Sequence, residues 1–310
     1  MKEILTAKED DSGKRLDVFV ADSASLTRSR AQKLIDEGLI IINGHSASSS
    51  RRIAAGDEVC IQLPQEEEMQ LLPEDIPLRV LYKDDFIAVV DKPAEMVVYP
   101  AAGHNSGTLL NALLFQTGRL ASIGGPVRNG VVHRLDKDTT GVMVVALDDA
   151  AYHGLVEQFK QRTIDRKYAA LVYGSLKDDS GEISLGIGRS SADRKKMSTK
   201  AKIKKHAVTS WRTLKRFNIA TLIEARLATG RTHQIRVHFA AIGHAVLGDA
   251  AYGSKKMIEV RKQRIYFPRQ MLHAKKLGFT HPATNRYMEF RSPLPEDMQA
   301  CIRELEKLYE

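Results

Sequence analysis

Cysteine is almost absent from this 310-residue chain: Cys60 and Cys301 are the only two, far apart and outside any CxxC spacing. That excludes a disulfide framework and a cysteine zinc site, and it fits a reducing, cytoplasmic setting. Long apolar runs are lacking as well. The unbroken run near the middle is Val142–Leu147, far short of the ~18 residues of a membrane helix. The first twenty residues mix acids and bases and carry no apolar core of a signal peptide. GxGxxG, GxxxxGKS/T and GxSxG are all missing, so dinucleotide-fold, P-loop and α/β-hydrolase readings have no support. HExxH is missing too. His233 and His238 stand five apart, a spacing that does not share one helix face, so each reads as a histidine satisfied by its neighbours and no metal is expected.

Positive charge is present in excess. The formal net charge is +9, which points to a polyanionic partner only weakly until the charge is located. Residues 1–63 hold nine Lys/Arg against ten Asp/Glu. Residues 64–77, PQEEEMQLLPEDIP, hold five acids, no base and three prolines, which reads as an extended linker. Residues 78–310 hold 38 bases against 23 acids and carry the whole excess. The expected domains are therefore 1–63 and 78–310, joined by 64–77.

In the first domain, Thr27 is a good N-cap for a helix whose apolar face is Ala31, Leu34 and Ile35, and Gly38 tolerates the positive φ of a C-cap. Leu39–Ile42 reads as a strand, Asn43-Gly44 as a tight turn, and a second strand starts at Asp57 and runs through Val59, Ile61 and Leu63. Arg28, Arg30 and Lys33 lie on or near the helix, and Arg51 and Arg52 lie in the loop before the second strand. This layout, with GKRLDVFV, TRSRAQKLIDEGLIIING and RRIAAGDEV, resembles the S4 RNA-binding domain. The resemblance implies that these five bases meet an RNA backbone, where phosphate contacts give grip without reading sequence.

In the second domain, Leu78–Tyr82 and Phe86–Asp91 read as a strand pair and Gly107-Thr108 as the cap of a helix through Leu109–Leu114. Val142–Leu147 reads as a strand buried on both faces, Ala150–Gln161 as a helix, and Lys167–Tyr173, Val208–Phe217 and Ile219–Leu227 as strands. Thr232–Ile242 reads as a helix starting near Gly230, and Met298–Leu308 as a final surface helix. Strands and helices mix without a βαβ rhythm, so the fold class is α+β rather than a doubly wound sheet. Arg189–Lys205 carries eight bases and one acid, including Arg194, Lys195 and Lys196, and reads as a solvated loop or a phosphate-tracking flap.

The segment His133–Gly141, HRLDKDTTG, is a charged, turn-rich loop held between two apolar strands, a rigid place for reactive groups. Asp136 can serve there as a nucleophile or a general base. This loop resembles the catalytic motif of the pseudouridine synthases that act on large-subunit ribosomal RNA. LYKDDFIAVVDKPAEMVVYP at 81–100, GTLLNALL at 107–114, RKYAALVYG at 166–174 and LATGRTHQIRVHFAAIGHAVLGDAAYG at 227–253 are similar to further family segments, in the same order. The S4-like domain precedes them as in the D-like branch. The first motif departs from the family at Glu95 and Tyr99, where members usually carry Gly and His.

The resemblance implies a largely antiparallel mixed β-sheet with flanking helices, and isomerisation of uridine to pseudouridine in 23S ribosomal RNA or a pre-ribosomal particle, without a cofactor. Asp136 then matches the catalytic aspartate, Arg231 the arginine paired with it, Tyr168 the tyrosine that stacks on the uracil, and Arg134 the arginine that fills the space of the flipped nucleotide. A monomer with no membrane partner is expected. The shared motifs leave open the same chemistry on transfer RNA or another ribosomal site, and a non-catalytic ribosome-assembly protein on the same fold.

Overall fold

The computed structural model describes residues 2–308 apart from 63–69, 102, 126, 254–255 and 261–262. The chain divides into two compact units, Met1–Glu68 and Met69–Glu310. Residues 64–69 of the stretch read as a linker, and Leu63 of the strand before it, lie outside the described residues. Residues 70–77 are not free chain: the Leu72 carbonyl accepts from Asn111 Nδ2 at 2.7 Å, and Leu71 and Ile76 pack on the apolar core of the second unit.

The first unit contains β1 (Lys2–Thr6), α1 (Leu16–Ser23), α2 (Arg28–Asp36), β2 (Ile40–Ile42), β3 (His45–Ser46) and β4 (Glu58–Gln62). The sheet order is β1-β4-β2-β3, antiparallel throughout. Thr27 caps α2 by accepting from Arg30 N, and Gly38 ends it at φ +72°. The two helices bury Leu16, Phe19, Val20, Ala31, Leu34 and Ile35 against Ile40, Ile42, Val59 and Ile61. Each of the Leu, Ile, Val and Phe side chains contributes about 1.5–3 kcal/mol by leaving water, which a unit this small needs.

The second unit contains β5 (Arg79–Lys83), β6 (Ile87–Lys92), α3 (Leu109–Thr117), β7 (Thr140–Ala146), α4 (Asp149–Gln161), β8 (Asp165–Tyr173), β9 (Ser180–Ser184), β10 (Gly188–Arg189) and β11 (Met197–Ser198). It continues with β12 (Val208–Arg216), β13 (Ala220–Leu227), α5 (Gln234–Ala241), β14 (Met257–Val260), β15 (Gln263–Tyr266), β16 (Leu272–Thr280), β17 (Tyr287–Arg291) and α6 (Glu296–Lys307). Among the described residues one sheet runs in the order β5-β6-β7-β16-β8-β13-β12-β9, with β17 on β16. Its pairings are antiparallel except β7 with β16.

Both faces of this sheet are covered, and strand alternation decides which side chain goes where. On β8, Tyr168, Ala170 and Val172 join the core under α3 and α5, whereas Ala169 and Leu171 face a second core closed by α6 through Met298, Cys301 and Leu305. The final helix is therefore amphipathic and half inside the fold. β7 is buried at every position, as its unbroken apolar run requires.

Candidate active site

The His133–Gly141 loop runs into β7, and its backbone is held by buried cations rather than by regular pairing. Lys92, at the end of β6, is 1% exposed and donates to three carbonyls: Pro93 at 2.7 Å, Met96 at 2.8 Å and Lys137 at 2.8 Å. An ammonium has three protons, and all three are used. Burial pushes this group down to about 7, against the pull of Asp138 and Asp136. Arg269 supplies the second clamp. Its Nη1 donates to the Asp138 carbonyl at 2.9 Å, while Nε and Nη2 grip Asp297 of α6 at 2.7 and 3.0 Å. Gln270 Nε2 donates to Thr139 Oγ1 at 2.9 Å. Gly141 sits at φ +113°, and a Cβ there would lie 2.2 Å from the Ala274 carbonyl oxygen. Only glycine lets β7 approach β16 at that point.

His133 is structural. Its Nε2 accepts from Val144 N at 3.1 Å and its ring stacks on Phe159 at 4.8 Å. Burial, reinforced by the charge of Arg166, pushes it down to about 3, so it is neutral.

Asp136 Oδ2 accepts from Arg236 Nη1 at 2.8 Å. Arg236 lies in the first turn of α5 and also donates from Nε and Nη2 to the two oxygens of Asp249, at 2.7 and 2.9 Å. The guanidinium thus bridges a fully buried carboxylate and the loop carboxylate, with the Tyr252 ring 5.1 Å from its centre. Burial works against this charge, but the bonds to Asp249 and the charge of Asp136 outweigh it and raise the pKa above the ordinary arginine value. Asp136 Oδ1 makes no hydrogen bond among the described residues; its neighbour is His233 Nε2 at 3.7 Å. Tyr252 Oη accepts from Met197 N at 3.0 Å, so its proton is available to His233 Nδ1 at 2.6 Å, and the remaining His233 N–H then points toward Asp136. Burial depresses His233, which keeps the ring neutral.

Tyr168 stands on the same face of β8 as Arg166, and both line a cavity of about 510 Å³ with Arg134, Asp136, Arg231 and Arg236. Asp136 is the only acid among the lining residues. Burial raises the Tyr168 phenol, with Arg166 opposing, so it is protonated. Arg134 Nη1 donates to Tyr99 Oη at 2.5 Å, and the Tyr99 ring also carries Arg128 at 4.8 Å from its centroid. Among the described residues no group of three or more His, Cys, Asp or Glu is arranged to hold a metal, and no helix is long and apolar enough to cross a membrane.

The profile of the RNA pseudouridylate synthases matches residues 86–241, and that of the S4 domain matches residues 14–59. The RNA pseudouridine synthase YlyB of Bacillus subtilis is 42% identical over 98% of each chain. The chain belongs to the RNA pseudouridylate synthase family. The ribosomal large subunit pseudouridine synthase D of Zymomonas mobilis is 42% identical to the synthase over 98% of this chain and 97% of its own. The Pseudomonas aeruginosa protein of the same name is 42% identical over 92% and 90%. The solved structure of human RNA pseudouridylate synthase domain containing 1 superposes with a TM-score of 0.58 at 26% identity, covering 75% of this chain and 96% of that one. The synthase is thus an RNA pseudouridine synthase of α+β fold with an N-terminal S4 domain.

One assignment drawn from the motif is corrected by the geometry. Arg231 lies before α5, where its Nε donates to the His206 carbonyl at 3.1 Å; the arginine on Asp136 is Arg236. The helix starts at Gln234, so Arg236 rather than Arg231 rides on the fixed element. The cue was legible: an arginine on a helix buried from Gln234 to Phe239 needs a partner carboxylate, and Asp249 stands in an otherwise apolar stretch. Reading by motif also passed over Lys92, Arg166 and Arg269.

The S4 bases are unevenly placed. Arg28 donates to the fully buried Asp17 at 3.0 Å, together with Arg15 at 3.0 Å and Gln32 at 2.6 Å, so it holds the unit together. Arg52 donates to the Gly13 carbonyl at 2.5 Å and Lys33 pairs with Glu37 at 3.5 Å. Arg30 and Arg51 make no side-chain hydrogen bond or ion pair among the described residues, although the charge of Arg51 acts on Asp57. Arg194 and Lys195 are exposed on the β10–β11 hairpin, with Lys196 paired to Asp193 at 3.9 Å. His238 is satisfied by Thr209 Oγ1 and the Leu185 carbonyl, both at 2.9 Å.

Proposed function

We propose that the synthase isomerises uridine in large-subunit ribosomal RNA and that Asp136 is the reacting group. The observation that carries this is the placement of Asp136 in a cavity with no other acid, Oδ2 tied to Arg236 and Oδ1 left without a hydrogen bond. The reaction breaks C1′–N1, turns the uracil, joins C5 to C1′ and moves one proton from C5 to solvent while N1 gains one. It needs no outside reactant. Addition to C6, attack at C1′ and proton removal to a glycal all require one unshielded carboxylate oxygen, and Oδ1 fills that role in each.

A base must leave the RNA stack to reach the cavity, at a cost of a few kcal/mol. Tyr168 repays part of this by stacking, which is worth ~1–3 kcal/mol per base, and holds the detached uracil. Arg134, steadied by Tyr99, fills the vacated space. The choice of large-subunit ribosomal RNA is supported by the names of the relatives from Zymomonas mobilis and Pseudomonas aeruginosa. The S4 unit and the β10–β11 hairpin supply further phosphate contacts, with Arg30, Arg51, Arg194 and Lys195 the free donors.

Joining carbon to C5 expels the hydrogen there. Tritium release from ribosomal RNA carrying 5-tritiated uridine, prepared from a strain lacking the protein, tests the proposal. Release is expected from the large-subunit RNA. Release from transfer RNA alone would move the substrate, and no release from either would favour a binding-only role.

A further inference from the structure

Arg166 is a buried cation with no ion-pair partner among the described residues. It is 9% exposed, its Nε is wholly buried without a hydrogen-bond partner, and no carboxylate lies within 4.0 Å among the described residues. The side chain rests on the Phe159 ring, 5.3 Å from its centroid. Gly230 makes room for it: a Cβ there would come within 3.0 Å of Nη1. The neighbouring titratable ring, His133, is neutral. Burying an unpaired charge is costly, and such a charge persists where a ligand completes the pair.

The rest of the cavity favours an anion over a neutral carbonyl. Lys160, Arg162, Arg134 and Arg231 also line it, against Asp136 alone. Arg166 and Tyr168 lie two residues apart on one face of β8, about 7 Å along the strand, comparable to the reach from a base to a phosphate on its own ribose. We infer that Arg166 is the phosphate-binding residue of the pocket, taking a phosphodiester oxygen of the nucleotide whose base lies on Tyr168. This rests on the uridine-binding reading of the site.

Binding of uridine, uridine 5′-monophosphate and uridine 3′-monophosphate to the full chain isolates this contact from the rest of the RNA. The parent is expected to bind one monophosphate at least about tenfold more tightly than uridine, and the preferred isomer tells which phosphate is held. In Arg166→Gln the preference disappears while uridine affinity stays, and Arg166→Lys keeps part of it. The melting temperature of free Arg166→Gln equals or exceeds that of the parent, because an uncompensated charge has been removed. Three results overturn the assignment: no preference for a phosphate in the parent, a Gln variant that loses uridine as strongly as the monophosphates, or a Gln variant that melts lower while keeping the preference. The first leaves no phosphate site, the second makes Arg166 a contact to the uracil, and the third makes it structural. Failure of the proposed reaction is separate, since it would show as absent tritium release from the parent.

Discussion

Replacing Arg236 by lysine keeps the positive charge and removes the fork. In the parent, three charge-assisted hydrogen bonds leave one planar group, two to Asp249 at 2.7 and 2.9 Å and one to Asp136 at 2.8 Å. Asp249 is fully buried and cannot be left alone, so the lysine ammonium follows it and Asp136 loses its donor. A hydrogen bond to a charged group is worth about 1.5–3 kcal/mol. At about 1.4 kcal/mol per factor of ten, kcat falls roughly 12- to 140-fold. The RNA contacts lie elsewhere, so KM holds. Arg231→Lys gives the contrast: it changes a side chain bound to the His206 carbonyl, and its effect falls on KM with kcat nearly unchanged. Single-turnover tritium release over a range of RNA concentrations separates the two variants. A silent Arg236→Lys beside a crippled Arg231→Lys would refute the pairing.

The S4 unit should be acid-sensitive through Asp17, whose carboxyl is held well below the usual carboxylate range by its hydrogen bond from Arg15, with Gln32 and Arg28 adding to it against burial. A depressed carboxyl stabilises the fold above its unfolded pKa and loses that contribution as pH falls, so the advantage of the parent over Asp17→Asn is full at pH 7 and shrinks below about pH 4. At pH 7 it is about 2 kcal/mol, limited because Arg15 and Arg28 are partly in water. Urea unfolding followed through amides of α1 and α2 measures it, and a pH-independent difference would contradict the assignment. Gly141→Ala combines a forbidden φ with overlap on the Ala274 carbonyl and should cost about 3 kcal/mol or more; a urea midpoint equal to the parent's would mean that β7 and β16 do not meet as described. Tyr99→Phe removes the acceptor for Arg134 but leaves the ring between the two arginines, so kcat/KM drops about fivefold, whereas Tyr99→Ala costs more. Equal effects of the two would assign the work to the hydroxyl alone, and a silent Tyr99→Phe would assign it to the ring.

Much of the fold was legible because single elements carry consistent signals. The Val142–Leu147 run reads as a buried strand and falls in β7 as far as Ala146, and Thr27 and Thr108 both cap the helices expected of them. β16 was not legible, although it lies at the centre of the sheet. Its sequence LHAKKLGFT breaks apolar alternation with His273, Lys275 and Lys276, and only tertiary partners make that tolerable. Lys276 pairs with Asp165 and Glu289, and His273 accepts from Thr140 Oγ1 while donating to the Ser292 carbonyl. The parallel pairing of β7 with β16 joins residues some 130 positions apart, which no local pattern records.

The site divides in the same way. Asp136, Tyr168 and Arg134 came from motifs, and the structure brings them to one cavity. The arginine on Asp136 depended on where α5 begins, a boundary that local pattern resolves only to a few residues. The departures in the first motif acquire physical meaning in three dimensions. Glu95 sits at φ +64°, a conformation that suits glycine. Tyr99 reaches across to hold Arg134.

Asp136→Asn is nearly isosteric, and Arg236 Nη1 can still donate to its amide oxygen, so fold and RNA affinity should persist. The amide can neither attack carbon nor accept the proton. With 5-tritiated ribosomal RNA from a strain lacking the protein, the parent should release tritium and Asp136→Asn should release none above background, while both retain the RNA equally on a filter. Release by Asp136→Asn within a few-fold of the parent would contradict the role assigned to this carboxylate.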